Sequence, residues 1–170
     1  MSQITVEQIK AMMPVVPAAS GEAHHIGRGE LPYVDIGDGT EIRVVHVDLK
    51  QGLWVIWNRF RPGARVGRHY HTGPVFGVTL SGCWYYEEYP HKVNRPGSYL
   101  FEPAGSVHTL IVPEENTEDT EVWFAIFGAN VQLDSSGGIE HIIDAATILG
   151  GYRLLCQSAE QSTDAMLVVS

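Results

Sequence analysis

Cysteine is almost absent: only Cys83 and Cys156 occur in 170 residues, and neither belongs to a paired motif. That excludes a disulfide framework and a thiolate zinc site, and makes a reducing, cytoplasmic setting the expectation. Positive charge is also scarce. Against 20 Asp and Glu stand 11 Lys and Arg, for a net charge of −9. The chain therefore lacks the basic surface that would hold a nucleic-acid backbone or an anionic membrane. No uncharged apolar run is long enough to span a bilayer. Met1 to Lys10 carries Glu7 and has no apolar core of signal-peptide length. Low-complexity tracts and repeats are missing too, so no linker divides the chain.

What is present is β-strand texture. Residues 1–30 read as a peripheral arm, with a short helix over 4–13 ended by Pro14 and a turn-forming stretch from Gly21 to Gly29 that carries His24 and His25. Residues 31–170 read as one domain. Segments rich in Val, Ile, Trp, Tyr and Phe follow one another: Ile42 to Leu49, Leu53 to Phe60, Val75 to Leu80, Cys83 to Tyr89, Tyr99 to Phe101, Val107 to Val112 and Val122 to Phe127. Turn signals separate them, among them Gly37-Asp-Gly39, Arg61-Pro-Gly63, Ser81-Gly82 and Arg95-Pro-Gly97. This spacing predicts an all-β sandwich or barrel. The acidic run Pro113 to Glu121 reads as an exposed loop between strands. Asp144 is positioned to cap a C-terminal helix with Ile148, Leu149, Tyr152, Leu155 and Cys156 on its apolar side, weakened by Gly150 and Gly151.

Three histidines stand out. His69 and His71 are two apart, so on a strand they leave the same face about 6.6 Å from each other along it. His108 sits in a second punctuated stretch, Gly97-Ser-Tyr-Leu-Phe-Glu-Pro103-Ala-Gly105-Ser-Val-His108, which a barrel could bring opposite the first pair. A metal site inside a barrel is the reading. His46, His91 and His141 have no partner at ligand spacing and read as surface or packing residues, and Arg59, Arg61, Arg65 and Arg68 as an exposed, partly paired set.

The punctuation resembles a known family. From Gly63, five residues lead to His69-Tyr-His71, three more to position 75 and six more to Gly82; from Gly97, five lead to Pro103, one to Gly105 and two to His108. These spacings resemble the two motifs of the cupins. The resemblance covers Ile42 to Phe127 and implies a double-stranded β-helix, a jelly-roll barrel with a metal in its mouth, held by His69, His71 and His108. Val75 stands where many cupins have a ligand carboxylate, and Val112 where the second motif often ends in Asn. Within the superfamily the chain resembles 2,4′-dihydroxyacetophenone dioxygenases and, more distantly, acetylacetone-cleaving dioxygenases.

That resemblance implies a fourth ligand from the next strand, where Trp84, Tyr86 and Glu88 alternate onto one face. Glu88 is the expected ligand, with Glu87 as the substitute if the strand is bulged, and a three-histidine site if neither serves. Glu102 matches an acidic position that holds a ligand by hydrogen bonding in the diketone-cleaving group, or else is a surface charge at a strand end. Tyr86 and Glu102 are the residues expected to act beside the metal, in a cavity lined by Trp84, Tyr86, Leu110 and Phe76. The implied activity is that of an iron(II) dioxygenase cleaving a C–C bond in a small hydroxyketone or β-diketone with O₂. Histidines alone do not choose iron over zinc, nickel or manganese. A zinc-binding sensor or regulatory module, and a non-redox isomerase or lyase, are the alternatives. A homodimer is expected from exposed sheet edges and the N-terminal arm.

Overall fold

The computed structural model describes residues 5–7, 22–37 and 39–170. The helix expected over 4–13 lies for the most part outside these. From residue 22 on, the described residues form, in order, β1 (Val34–Asp35), β2 (Thr40–Asp48), β3 (Leu53–Phe60), β4 (Arg65–His71), β5 (Val75–Ser81), β6 (Tyr85–Tyr86), β7 (Tyr99–Glu102), β8 (His108–Ile111), β9 (Thr120–Phe127), β10 (Asn130–Leu133), β11 (Ile139–Ile143), α1 (Ala145–Ser158) and β12 (Leu167–Val169). A seven-stranded sheet ordered β1-β2-β3-β9-β5-β7, with β12 parallel to β2, faces a five-stranded sheet ordered β11-β10-β4-β8-β6. This is the expected jelly-roll.

Alternation sorts the side chains. Along β3, Trp54, Ile56, Asn58 and Phe60 are all buried and share one face. Val44, Val47, Val122 and Trp84 are fully shielded from solvent in the same core. Gly63, Gly82 and Gly97 take φ of 80°, 65° and 85° in three of the expected turns, a region in which side chains with a Cβ are strained. The helix begins where expected. The Asp144 carboxylate accepts from Thr147 N at 2.8 Å, and Ala145, Leu149, Tyr152 and Cys156 form its buried stripe.

Three strands depart from the sequence reading. The segment Cys83 to Tyr89 does not run as one strand: β6 has only two residues, and Tyr89 N donates to Tyr86 O in a turn. The strands β10 and β11, by contrast, were not expected, and they extend the smaller sheet beyond β4. Outside the sheets, Arg28 pairs with Glu121 at 2.9 Å and Tyr33 donates to the same carboxylate, which fastens the segment before β1 to β9.

Candidate metal centre

A bulge sets up the site. Val66 pairs with Leu110 and His69 with His108, so β4 uses three steps where β8 uses two. The extra residue reverses the parity of β4, and Val66, His69 and His71 all face inward, which strict alternation would forbid. Gly67 lies in the bulge, and its carbonyl accepts from His69 Nδ1 at 2.7 Å. That bond puts the proton on Nδ1 and leaves Nε2 bare.

The structure brings His69, His71 and His108 together. One ring nitrogen from each lies within 4.8 Å of the others, and all three residues are at most 5 % exposed. An octahedral ion with ~2.1 Å bonds separates its donors by ~3.0 to 4.2 Å, so small side-chain shifts suffice to close this group on one ion. Burial, with the neighbouring imidazole adding to it, drives His71 and His108 down to about 3 and lowers His69 as well. The imidazoles are therefore neutral near pH 7, the form that ligates metal.

Glu102 completes the buried group. Its Oε2 lies 3.6 Å from His71 Nε2 and 3.3 Å from His108 Nε2. With both imidazoles neutral, these are not ion pairs. Tyr86 donates to Glu102 Oε1 and stacks on His108 with ring centroids 4.1 Å apart. Burial raises the Glu102 carboxyl to about 7, against the lowering effect of the Tyr86 hydrogen bond. Glu102 Oε2 and His108 Nε2 are buried without a hydrogen-bond partner among the described residues, as is His71 Nδ1. Orphaned buried donors and acceptors are rare, and a divalent cation would satisfy the first two. The residues fit such an ion.

Glu88 is not brought into this group. The turn after Tyr86 ends the alternation on which its placement depended, and its exposed carboxylate accepts from Thr109 N and Thr109 Oγ1 at 2.9 and 3.2 Å. Glu87 points to Arg65, its carboxylate 2.9 Å from the guanidinium. Of the four residues expected to line the cavity, Tyr86 and Leu110 do. Trp84 is instead fully buried, its indole N–H donating to Thr79 Oγ1 at 2.9 Å, and Phe76 is on the outer face against Phe101. Phe76 is flanked by the inward Val75, so alternation turns it out.

The cavity itself measures about 550 Å³. Its far wall is built by β11 and α1, through Ile143, Ile148, Gly151 and Leu155. His141 also lines it, which the absence of a ligand-spaced partner did not reveal; its signal is the register Gln132↔His69 and Gln132↔His141, one row across three strands. Asn58 lines the cavity too, and its signal was a polar residue on the buried face of an apolar strand. Among the described residues neither Lys nor Arg lines it.

Two facing sheets with a buried histidine trio between them define a cupin-type barrel. The chain belongs to the ChrR cupin-like domain family, whose profile matches residues 22–130. Among solved structures it is similar to a protein of unknown function with a cupin-like fold from Ralstonia eutropha JMP134, at 30% identity and a TM-score of 0.83, covering 91% of this chain and 96% of that one. An RmlC-like cupin from the same organism follows at 21% identity and a TM-score of 0.78, with 85% and 94% covered. An acetylacetone dioxygenase from Acinetobacter johnsonii shares 17% identity at a TM-score of 0.69, with 84% and 98% covered. No curated protein matches the chain. Among the described residues no helix is long and apolar enough to cross a membrane.

Proposed function

We propose that the protein is a mononuclear non-haem metal enzyme that uses O₂ to cleave a C–C bond in a small β-diketone or hydroxyketone. One observation carries the reading: three neutral, buried imidazoles converge at one end of a largely apolar cavity of about 550 Å³. The fold shared with an acetylacetone dioxygenase agrees with it. His69, His71 and His108 are the ligands in this reading, and Glu102 replaces Glu88 as the carboxylate of the site. Iron(II) bound there would supply Lewis acidity toward two substrate oxygens and the redox capacity to use O₂.

The chain's own residues do the remaining work. Gly67 holds His69 in one tautomer through its carbonyl. Glu102 Oε2 faces the histidines, 3.6 Å from His71 Nε2 and 3.3 Å from His108 Nε2, and is placed to orient what binds there. Tyr86 fixes that carboxylate by donating to its other oxygen. Leu110, Phe124 and Ile126 keep the cavity apolar and exclude water.

The test is metal analysis of anaerobically prepared protein combined with oxygen uptake over a panel of β-diketones and aromatic hydroxyketones. Iron-dependent uptake stoichiometric with substrate is the expected result. The family's name favours a second reading, a zinc-holding regulatory cupin. Zinc retained through anaerobic preparation, with no uptake on any substrate, selects it. A homodimer is also proposed, and a monomer mass in light scattering removes it.

A further inference from the structure

The end of the cavity away from Glu102 carries polar groups with no assigned work. Asn58 is 8 % exposed and Thr40 4 %, both line the cavity, and neither side chain has a hydrogen-bond partner among the described residues. Asn58 pairs with Ile42, two residues from Thr40 on the same inner face, so the carboxamide and the hydroxyl are diagonal neighbours across β2 and β3. Both side chains are open to the cavity, so a carboxamide and a hydroxyl side by side on an otherwise apolar strand pair are free to meet a polar group of a bound molecule.

Register fixes how far they are from the chemistry. Glu102 lies in the row Glu102–Val75–Ile126–Trp54, and Asn58 in the row Thr79–Val122–Asn58. The rows are four residues apart along β3, about 13 Å at the rise of a strand. Between them the inner face is apolar, through Ile56 and Phe124. The cavity has room for roughly eighteen waters at ~30 Å³ each, well beyond a seven-heavy-atom diketone. Among the described residues no Lys or Arg lines the cavity, so none of them offers a counter-charge to a carboxylate at the far end.

We infer that Asn58 and Thr40 form a remote subsite for a neutral hydroxyl or carbonyl group, and that the substrate is elongated: chelating oxygens at the histidines, an apolar body, and this polar group at its far end. The inference rests on the reading of the histidine trio as a metal centre that binds a chelating substrate. An amide and a hydroxyl both donate and accept, so they recognise a neutral group of either kind and disfavour a purely apolar end.

The experiment compares two probes, 1-phenylbutane-1,3-dione and 1-(4-hydroxyphenyl)butane-1,3-dione, titrated anaerobically into the full chain loaded with iron(II). The metal–enolate absorbance reports binding. The native protein binds the hydroxylated probe about tenfold more tightly, and in Asn58→Leu that ratio falls to near one. Thr40→Val reduces the ratio in part and serves if Asn58→Leu does not fold. A ratio near one in the native protein, or one that survives both substitutions, overturns the subsite while leaving the metal-centre reading intact. If neither probe binds the native, iron-loaded protein, the chelating-substrate reading falls and the subsite with it.

Discussion

The histidine wall of the cavity and its helical wall are built on different principles. On the first, His69, His71, His108 and Glu102 are at most 5 % exposed, neutral or driven toward neutrality, and held by a bulge, a stacked Tyr86 and a carbonyl. On the second, α1 presents Thr147, Ile148, Gly151 and Leu155, none of them buried, above a stripe that is. The family match ends at residue 130, before β11 and α1 begin. Chemistry that depends on ångström placement is set in rigid, paired strands, and the surface that meets the body of a substrate is left to an added element. Changes to the first wall should therefore remove function outright, and changes to the second should tune it.

The largest expected effect is on metal content. Purified protein is expected to hold close to one divalent transition metal per chain, and the double substitution His69→Ala, His71→Ala to lose it, as measured by elemental analysis. Retention of the same metal by the double mutant would move the centre off this wall altogether.

Next in size is the carboxylate. Glu102→Gln keeps the shape of the side chain but removes the charge beside His71 and His108, and metal affinity or turnover should fall about 10- to 100-fold. Tyr86→Phe should follow in the same direction with a smaller loss. Glu88→Ala should do little to metal content, because its oxygens are spent on Thr109 at the surface. If Glu88→Ala is the damaging change and Glu102→Gln is silent, the turn after Tyr86 rearranges when metal binds.

How much of this could be read from residue order depends on the range of the signal. The trio was legible because motif spacing survives whatever the intervening loops do, and the helix because its cap Asp144 and its apolar stripe lie within a few turns of each other, which outweighs the glycine pair. Glu88 stands apart from the trio for a local reason: alternation holds only while the strand continues, and no residue between Tyr86 and Glu88 marks the turn. The strands β10 and β11 carry Asn130, Gln132, Glu140 and His141, so they lack the apolar runs that marked their neighbours; only pairing, of β10 with β4 and of β11 with β10, makes them strands. The inward turn of Val66 alongside His69 required the bulge, which is a property of the β4–β8 register and not of either segment alone.

On the helical wall the effects should be smaller and separable. Gly151 lines the cavity, and a Cβ added there would meet nothing within 4 Å. Gly151→Leu should fill that space and weaken binding of 1-phenylbutane-1,3-dione on the order of tenfold, with metal content retained. Loss of metal in this variant would mean that the two walls are mechanically coupled.

The smallest effect comes from the adjacent residue and gives the cleanest control. Gly150 is exposed, its φ is not in the left-handed region, and a Cβ there would also meet nothing within 4 Å. It does not line the cavity. Alanine in a helix interior is favoured over glycine by roughly 0.5–1 kcal/mol because the unfolded chain has less freedom to lose. Gly150→Ala should therefore raise the unfolding free energy in denaturant titration by about that amount, with metal content and diketone affinity unmoved. If the helix instead has to open for substrate to enter, stiffening it would slow binding, and Gly150→Ala would lower the association rate in stopped flow while leaving the equilibrium affinity nearly the same. A gain in stability with unchanged association kinetics identifies α1 as a fixed wall.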